Sequence, residues 1–366
     1  MPFGKRTKMY RSRWKRVKAY LKKKRMDAYI VKNPSNIKYL FASHLPHDSS
    51  LATFLVVFRK GGVAAITSSL EAHRTRIQGA KGAEVHTFSA LPHVEVQYKN
   101  FTEALGTVLR AGRAKKAFCD GPINVKGVTV INDDRLAWMR AIKDDHEMRC
   151  IRVACAITDR AARAIPHLLK PGTTERKVHM ELNYIMKAEG SDSDAFETIV
   201  ASGPHSAFSH HDFTDRKLKK GDPVTLDFGA VYRGYCADLT RTYFVGEPSK
   251  AMREVYRTVQ ESYKAGVRAA KVGAVLGDID KACRDVVAEY GYGKYYVHST
   301  GHGVGLDVHE EPRVSPGIKE KVLKGMVFTI EPGIYIPKRG GVRIENDVYI
   351  GPRGTEVLNL ARIPKY

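Results

Sequence analysis

Between Tyr10 and Arg25 the apolar side chains Trp14, Val17, Tyr20 and Leu21 recur at helical spacing on one side, which predicts a helix. DAYIV (27–31) then reads as a buried strand, and NPSNIKYL as a turn into a short helix. TFLVVF (53–58) and VAAIT (63–67) flank Gly61-Gly62, a hairpin signal. Strand and helix patterns alternate through AEVHTF, the segment from Phe101 to Leu109, and AFCD. The charged stretch IKDDHEM (142–148) ends this part, so residues 1–145 are read as an α/β domain with a basic leader.

The pattern then changes. A long helix is predicted with Met148, Ile151, Ala162 and Ile165 on its apolar side, and Pro171-Gly172 stops it. Thr173 or Thr174 can cap the next helix, which runs to about Gly190. Strands follow in FETIVASG, PVTLDFGAVY and LTRTYFVG, helices near 249–271 and 278–290, and strands again in YYVHSTG, MVFTIEPGIYI and GVRIENDVYIG. Helices interleaved with hairpins, in place of regular βαβ units, predict an α+β domain over 146–366 with an antiparallel core sheet.

Length and composition agree with two folded domains: 366 residues, 43% of them hydrophobic. No apolar run reaches membrane-spanning length, and the basic N-terminus lacks the apolar stretch of a secretory signal, so a cytoplasmic protein without a membrane partner is expected. Five cysteines with no CxxC read as reduced thiols. The net charge of +22 favours acidic partners, and the residues before Asp27 contain no acid at all. Charge alone confers only non-specific affinity, and no nucleic-acid-binding motif accompanies it, so a solvated basic helix face is favoured over a nucleic-acid site.

The candidate chemistry is concentrated in the second domain. Asp227 and Asp238 stand eleven residues apart in LDFGAVYRGYCADLTRT, each in strand-like sequence, with glycines between them. A strand, a turn and a returning strand can bring them together. Glu331 in FTIEPGIY and Glu345 in GVRIEND repeat the arrangement. A glutamate beside an apolar strand needs a cation or an arginine. Arg343 is the obvious partner for one of the two glutamates, but one guanidinium cannot balance four acids. His302, in GHGVG, has glycines on both sides that permit close approach of backbone and metal. Four gathered carboxylates repel one another, and divalent cations would cancel that charge. Oxygen donors with one imidazole suit Mn, Co, Fe or Zn. Cys236, between the aspartates, is weighed as a ligand and read instead as a small hairpin residue. His210, His211 and His309 add imidazoles able to hold a substrate carbonyl or move protons. His44, His47, His73 and His205 have no comparable context and are read as surface or structural.

With these motifs the chain resembles the proline-specific metallopeptidases of the pita-bread fold, the group containing prolidase (Xaa-Pro dipeptidase) and aminopeptidase P. The resemblance extends over nearly the whole chain: residues 1–145 resemble a creatinase-like domain, with DAYIVKNPSNIKYL its most familiar stretch, and 146–366 the catalytic domain. It implies that Asp227 chelates one of two divalent metals, that Asp238 and Glu345 bridge both, and that His302 and Glu331 complete the other. It implies that the first active-site histidine is His210, with His211 an adjacent competitor, and that His309 is the second. Arg313 falls where prolidases carry an arginine that meets the substrate carboxylate. SHH at 209–211 departs from the family, whose members more often have proline before the histidine.

The implied activity is hydrolysis of the bond between an N-terminal residue and proline, in dipeptides or in peptides with proline second, with a metal-bridging hydroxide as nucleophile. Glu331 would pass the water's proton to the leaving nitrogen, while His210 and His309 steady substrate and oxyanion. Arg313 favours a dipeptidase over an aminopeptidase. A homodimer is expected by analogy. A methionine aminopeptidase would lack the N-terminal domain, and creatinase would lack the metal. The reading from another class is a non-catalytic pita-bread module that binds RNA, the ribosome or protein partners through its basic surface.

Overall fold

The computed structural model describes residues 3–41, 53–91 and 93–366, which divide into two compact units, Met1–Met139 and Arg140–Tyr366. In the first, α1 (Phe3–Lys24) buries Tyr10, Trp14, Val17 and Leu21, one face of the predicted helix. The strands are β1 (Ala28–Val31), β2 (Thr53–Phe58), β3 (Val63–Ser68), β4 (Ala83–Phe88), β5 (Lys116–Cys119) and β6 (Thr129–Asn132). They form one sheet in the order β4-β3-β2-β1-β5-β6. It is mixed: β1 and β3 each pair antiparallel with β2, while β3–β4, β1–β5 and β5–β6 are parallel. The helices are α2 (Pro34–Leu40), α3 (Ala72–Gln78), α4 (Phe101–Ala111) and α5 (Arg135–Ala141). Asn33 caps α2, its side chain accepting from the amides of Ser35 and Asn36.

The second unit opens on α6 (Asp145–Ala162). Asp144 and Glu147 form a capping box at its start, so the charged stretch read as a boundary is also a helix-start signal. The predicted long helix is two: α6 stops at Ala162, and α7 (Ile165–Leu168) restarts with Pro166 in its first turn, where a missing N–H costs nothing. Thr174 caps α8 (Glu175–Ala188). The helices α9 (Lys250–Ala269) and α10 (Leu276–Glu289) follow the central strands.

Those strands are β7 (Ile199–Ser202), β8 (Pro223–Phe228), the short hairpin β9 (Val231–Tyr232) and β10 (Tyr235–Cys236), and β11 (Leu239–Phe244). β8 lies between β7 and β11, antiparallel to both. Val224, Leu226 and Phe228 face a core shared with Ile157, Val178, Leu182 and Leu239. The last strands are β12 (Gly301–Gly303), β13 (Glu310–Val314), β14 (Val327–Ile330), β15 (Gly333–Ile336), β16 (Gly340–Arg343), β17 (Asn346–Gly351) and β18 (Gly354–Val357). They give an antiparallel sheet ordered β13-β12-β14-β17-β18 and a separate β15–β16 hairpin. The antiparallel α+β reading of this unit therefore holds.

YYVHSTG is not a strand. Gly293–Tyr295 is a 3-10 turn, and strand begins only at Gly301. Side chains of α10 take the hydrogen bonds a neighbouring strand would have made. Arg284 donates to the carbonyls of Tyr296 and His298, and Asp280 accepts from the amide and hydroxyl of Thr300. No helix of the described residues is long and apolar enough to cross a membrane. All five cysteines are buried and none forms a disulfide.

Candidate metal centre

Strand alternation builds the first half of the site. With Val224, Leu226 and Phe228 turned into the core, Thr225 and Asp227 must face the other way. The register sets Asp227 opposite Thr240 and Thr225 opposite Thr242, so all four share one polar face of β8 and β11. Asp238 stands two residues before Thr240, at the mouth of the same hairpin. The second half comes from β14 and β17, where Ile330 lies opposite Asn346. Continuing that register by one residue sets Glu331 against Glu345.

His302 enters from β12. Its flanking glycines serve the backbone: a Cβ at Gly301 would lie 2.0 Å from the carbonyl oxygen of Thr329, and one at Gly303 2.2 Å from that of Glu311. They let β12 sit close between its two neighbours, which brings the imidazole to the acids.

The acids and imidazole converge. His302 Nε2 lies 3.3 Å from Glu331 Oε1 and 3.6 Å from Asp238 Oδ2. One donor atom each from Asp238, His302 and Glu345 falls within a 4.8 Å cluster. His302 Nδ1 lies 3.1 Å from the Gly303 carbonyl oxygen, to which it must donate, leaving the Nε2 lone pair aimed at the carboxylates. Burial pushes the His302 pKa down, so these are contacts of a neutral ring and not ion pairs. A lone pair facing carboxylate lone pairs is favourable only with a proton or a cation between them.

The acids show the same strain. Burial, then the charges of Glu345, Asp227, Asp347 and Glu331, push Asp238 well above the usual carboxylate range. Burial, then Glu331 and Asp227, do the same to Glu345. Glu331 is raised to about 7, mainly by burial. Asp227 Oδ1 and Asp238 Oδ1 are buried with no hydrogen-bond partner. Orphaned carboxylate oxygens beside a neutral imidazole fit a divalent cation of the oxygen- and nitrogen-binding kind. Cys236 is in neither of the two ligand-competent groups found among the described residues.

Arg343 does not pair with Glu331 or Glu345 as its position in the sequence suggests. Its Nη2 donates to Asp227 Oδ2 at 2.6 Å, its Nη1 to Tyr335 Oη at 2.6 Å and to the Ser209 carbonyl at 3.2 Å, and its Nε to Thr240 Oγ1 at 3.0 Å. Thr240 passes the contact on, donating to Glu345 Oε2 at 2.5 Å. Thr329 donates to Glu331 at 3.2 Å. Tyr335 in turn lies 2.9 Å from His298 Nε2. Sequence reasoning missed Thr240, Tyr335 and His298. Thr240 was within reach, since strand alternation sets it on the side of Asp238. Tyr335 and His298 join only through tertiary contact.

His210 and His309 are exposed, and both are electrostatic neighbours of this cluster: His210 of Glu331, His298 and His309, and His309 of His302 and Asp227. The rings of His302 and His309 are 4.2 Å apart. Burial, then His302, lowers the His309 pKa to about 4. Arg313 is exposed on β13, opposite His302 in the register. His211 turns elsewhere, its Nε2 lying 3.2 Å from Glu175, a carboxylate that His205 also meets at 3.1 Å. His73 is exposed, while His44 and His47 lie outside the described residues.

Residues 149–352 match the profile of metallopeptidase family M24, and residues 13–121 that of the creatinase/prolidase N-terminal domain. A Xaa-Pro dipeptidase of Pyrococcus horikoshii is 46% identical over 226 residues, which span 62% of this chain and 64% of that protein. Among solved structures, a Xaa-Pro dipeptidase from Bacillus anthracis superposes with a TM-score of 0.87 at 31% identity, covering 97% of this chain and 99% of that one. The prolidase from Pyrococcus horikoshii OT3 superposes with 0.86 at 32%, covering 97% and 100%. With the family profile spanning more than half of the sequence and the fold shared end to end, the chain belongs to metallopeptidase family M24, whose divalent-metal chemistry matches the donor set gathered around His302.

Proposed function

We propose that this protein is a metal-dependent peptidase that hydrolyses the bond between an N-terminal residue and a following proline, acting on Xaa-Pro dipeptides in preference to longer peptides. The observation that carries the reading is the meeting of Asp227, Asp238, His302, Glu331 and Glu345 around two orphaned carboxylate oxygens and a neutral imidazole nitrogen. Asp227, Asp238, His302, Glu331 and Glu345 would hold two divalent ions there, drawn from Mn, Co, Zn and Fe. When bound, they supply an acidified water and polarise the scissile carbonyl.

The chain's own groups do the rest. Glu331, held at the meeting of β14 and the β15–β16 hairpin, takes the proton of the attacking water and returns it to the proline nitrogen. His309, neutral at physiological pH, donates a hydrogen bond to the carbonyl oxygen as charge develops there, with His210 beside it. Arg313 meets the carboxylate of a dipeptide substrate. The catalytic domain is assigned to 146–366 and the N-terminal domain to 1–145, in a cytoplasmic homodimer. A binding module without catalysis has no use for buried carboxylate oxygens left bare, as Oδ1 of Asp227 and of Asp238 are, so the basic surface by itself does not carry the alternative.

The test is metal content per chain together with turnover of Xaa-Pro dipeptides by the wild type and by Asp238→Ala. We expect the variant to lose metal and about 10³-fold or more in rate. Near-normal turnover by Asp238→Ala, or no hydrolysis by metal-loaded wild type, rejects the assignment.

A further inference from the structure

Glu175 is a fully buried carboxylate at the first turn of α8, away from the proposed reaction. Its oxygens accept from the amide of Ser202 at 2.8 Å and its hydroxyl at 2.6 Å, and from the amide of Thr214 at 3.0 Å and its hydroxyl at 2.6 Å. His205 Nδ1 at 3.1 Å and His211 Nε2 at 3.2 Å complete the set. Burial opposes the charge on this carboxylate, but the bonds from Ser202, Thr214 and His211 outweigh it and hold its pKa below the usual value. Glu175, His205 and His211 also have the composition of a metal site. Six donors already fill the carboxylate, however, so a cation would have to displace bonds that are in place.

Every one of those donors belongs to the run 202–214, which carries His210. The rings of His205 and His211 pack 4.5 Å apart across the clamp. On the other side of His210, the Ser209 carbonyl accepts from Arg343, which also holds Asp227. His210 is thus tied through its two chain neighbours, by Ser209 to the carboxylate cluster and by His211 to a buried anion under α8. Its own side chain is left exposed beside Glu331 and His309.

We infer that Glu175, with His205 and His211, is a positioning clamp whose task is to hold His210 over the carboxylate cluster. This rests on the role given to His210 above. His211, the competitor for that role in the sequence, then serves it from behind: its imidazole Nε2–H donates to Glu175.

The test is a double-mutant cycle on the full metal-loaded chain, with an Ala-Pro dipeptide as substrate and metal content measured alongside. His210→Ala, His211→Ala and the double variant are compared with wild type. Misplacing His210 by about 1 Å acts on the scale of 10²-fold in rate. We expect His211→Ala to lower kcat by about tenfold or more within that scale, with KM and metal content nearly unchanged. We expect the double variant to be no slower than His210→Ala alone, because both losses pass through one group. His211→Gln, whose amide can still donate to Glu175, should recover most of the rate. Losses that multiply in the double variant, or a His211→Ala enzyme at wild-type rate, overturn the clamp while leaving the peptidase reading intact. A His210→Ala enzyme at wild-type rate overturns the role of His210 and the clamp with it. Glu175→Gln, which keeps the shape but not the charge, should lower kcat in the same way; if it does not fold, the cycle on His211 decides.

Discussion

Thr240→Val is the sharpest probe of how the site is held, because it changes one hydroxyl to a methyl at nearly constant volume. Thr240 Oγ1 accepts from Arg343 Nε at 3.0 Å and donates to Glu345 Oε2 at 2.5 Å, and the residue is fully buried. The substitution leaves a guanidinium N–H without an acceptor and a carboxylate oxygen without a donor. Each buried polar atom stranded in this way costs about 1–3 kcal/mol. Arg343 keeps its bonds to Asp227, Tyr335 and Ser209, so its share falls at the low end. Glu345 has no such reserve when ionised. A ligand that loses its supporting donor costs about 10–100-fold in metal affinity, which is about 1.4–2.7 kcal/mol and agrees with the hydrogen-bond figure. Titration of metal-free protein against a competing chelator should show that drop. The matched control is Thr225→Val on the same polar face, where the lost bond is to the Thr242 hydroxyl 3.0 Å away. It should lower stability while leaving metal affinity within about twofold. Equal affinities for Thr240→Val and wild type would refute the claim that Thr240 orients Glu345.

Without cations the cluster holds protons, since Asp238 and Glu345 lie well above the usual carboxylate range and Glu331 is raised to about 7. Groups so raised contribute stability that is full below their unfolded pKa and lost as pH rises through the folded value. From about pH 7 to 8.5, above the range in which the lowered His302 and His309 shift the balance, chelated protein should therefore lose stability in urea denaturation as pH rises, and metal loading near pH 6 should release protons, seen as a buffer-dependent binding enthalpy. Glu310 behaves oppositely: burial opposes its charge, but Lys143 and Arg140 overcome it and hold its pKa down. Its contribution is present above the unfolded pKa and lost as pH falls through the depressed one. Glu310→Gln should thus cost about 3–5 kcal/mol at pH 7, chiefly by taking the carboxylate from buried Lys143, since Arg140 keeps Asp307, with the gap to wild type closing in acid. Arg313→Ala should raise KM for an Xaa-Pro dipeptide by about tenfold or more and leave a C-terminally amidated tripeptide nearly unchanged; equal effects on both would remove the carboxylate contact.

Where the sequence was legible, short-range physics decided the outcome. Strand alternation and the eleven-residue separation were enough to bring Asp227 and Asp238 to one hairpin. Val17 and Leu21 fixed the inner face of α1 because a 3.6-residue period leaves little choice. YYVHSTG failed for the converse reason. Its composition suits a strand, but Arg284 and Asp280 on α10 capture its backbone groups, and nothing local announces a partner so far away in sequence. His205 looked idle because its carboxylate stands thirty residues earlier, in the first turn of α8.

The same distance effect explains Arg343 and changes the logic of the site. Read along the chain, an arginine two residues from Glu345 looks like a rival to any cation, able to neutralise an acid by itself. In the fold it reaches Asp227 instead, and takes only Oδ2. Oδ1 of the same carboxylate is left buried and unpaired. A carboxylate with both oxygens in a guanidinium fork would be satisfied and inert. A carboxylate with one oxygen fixed and the other bare is oriented and still wants a charge. On the proposed assignment Arg343 would not compete with a cation at Asp227; it would aim the ligand. A single guanidinium that also braces Tyr335, Ser209 and Thr240 fixes the direction of that bare oxygen relative to Glu345 and to the run carrying His210. Lysine at 343 would keep the charge and lose the geometry, since one ammonium cannot span four acceptors spread around a planar fork. Arg343→Lys should therefore retain the fold and lose metal affinity by about tenfold or more. Unchanged affinity would show that charge alone, and not the direction it imposes, is what Asp227 requires.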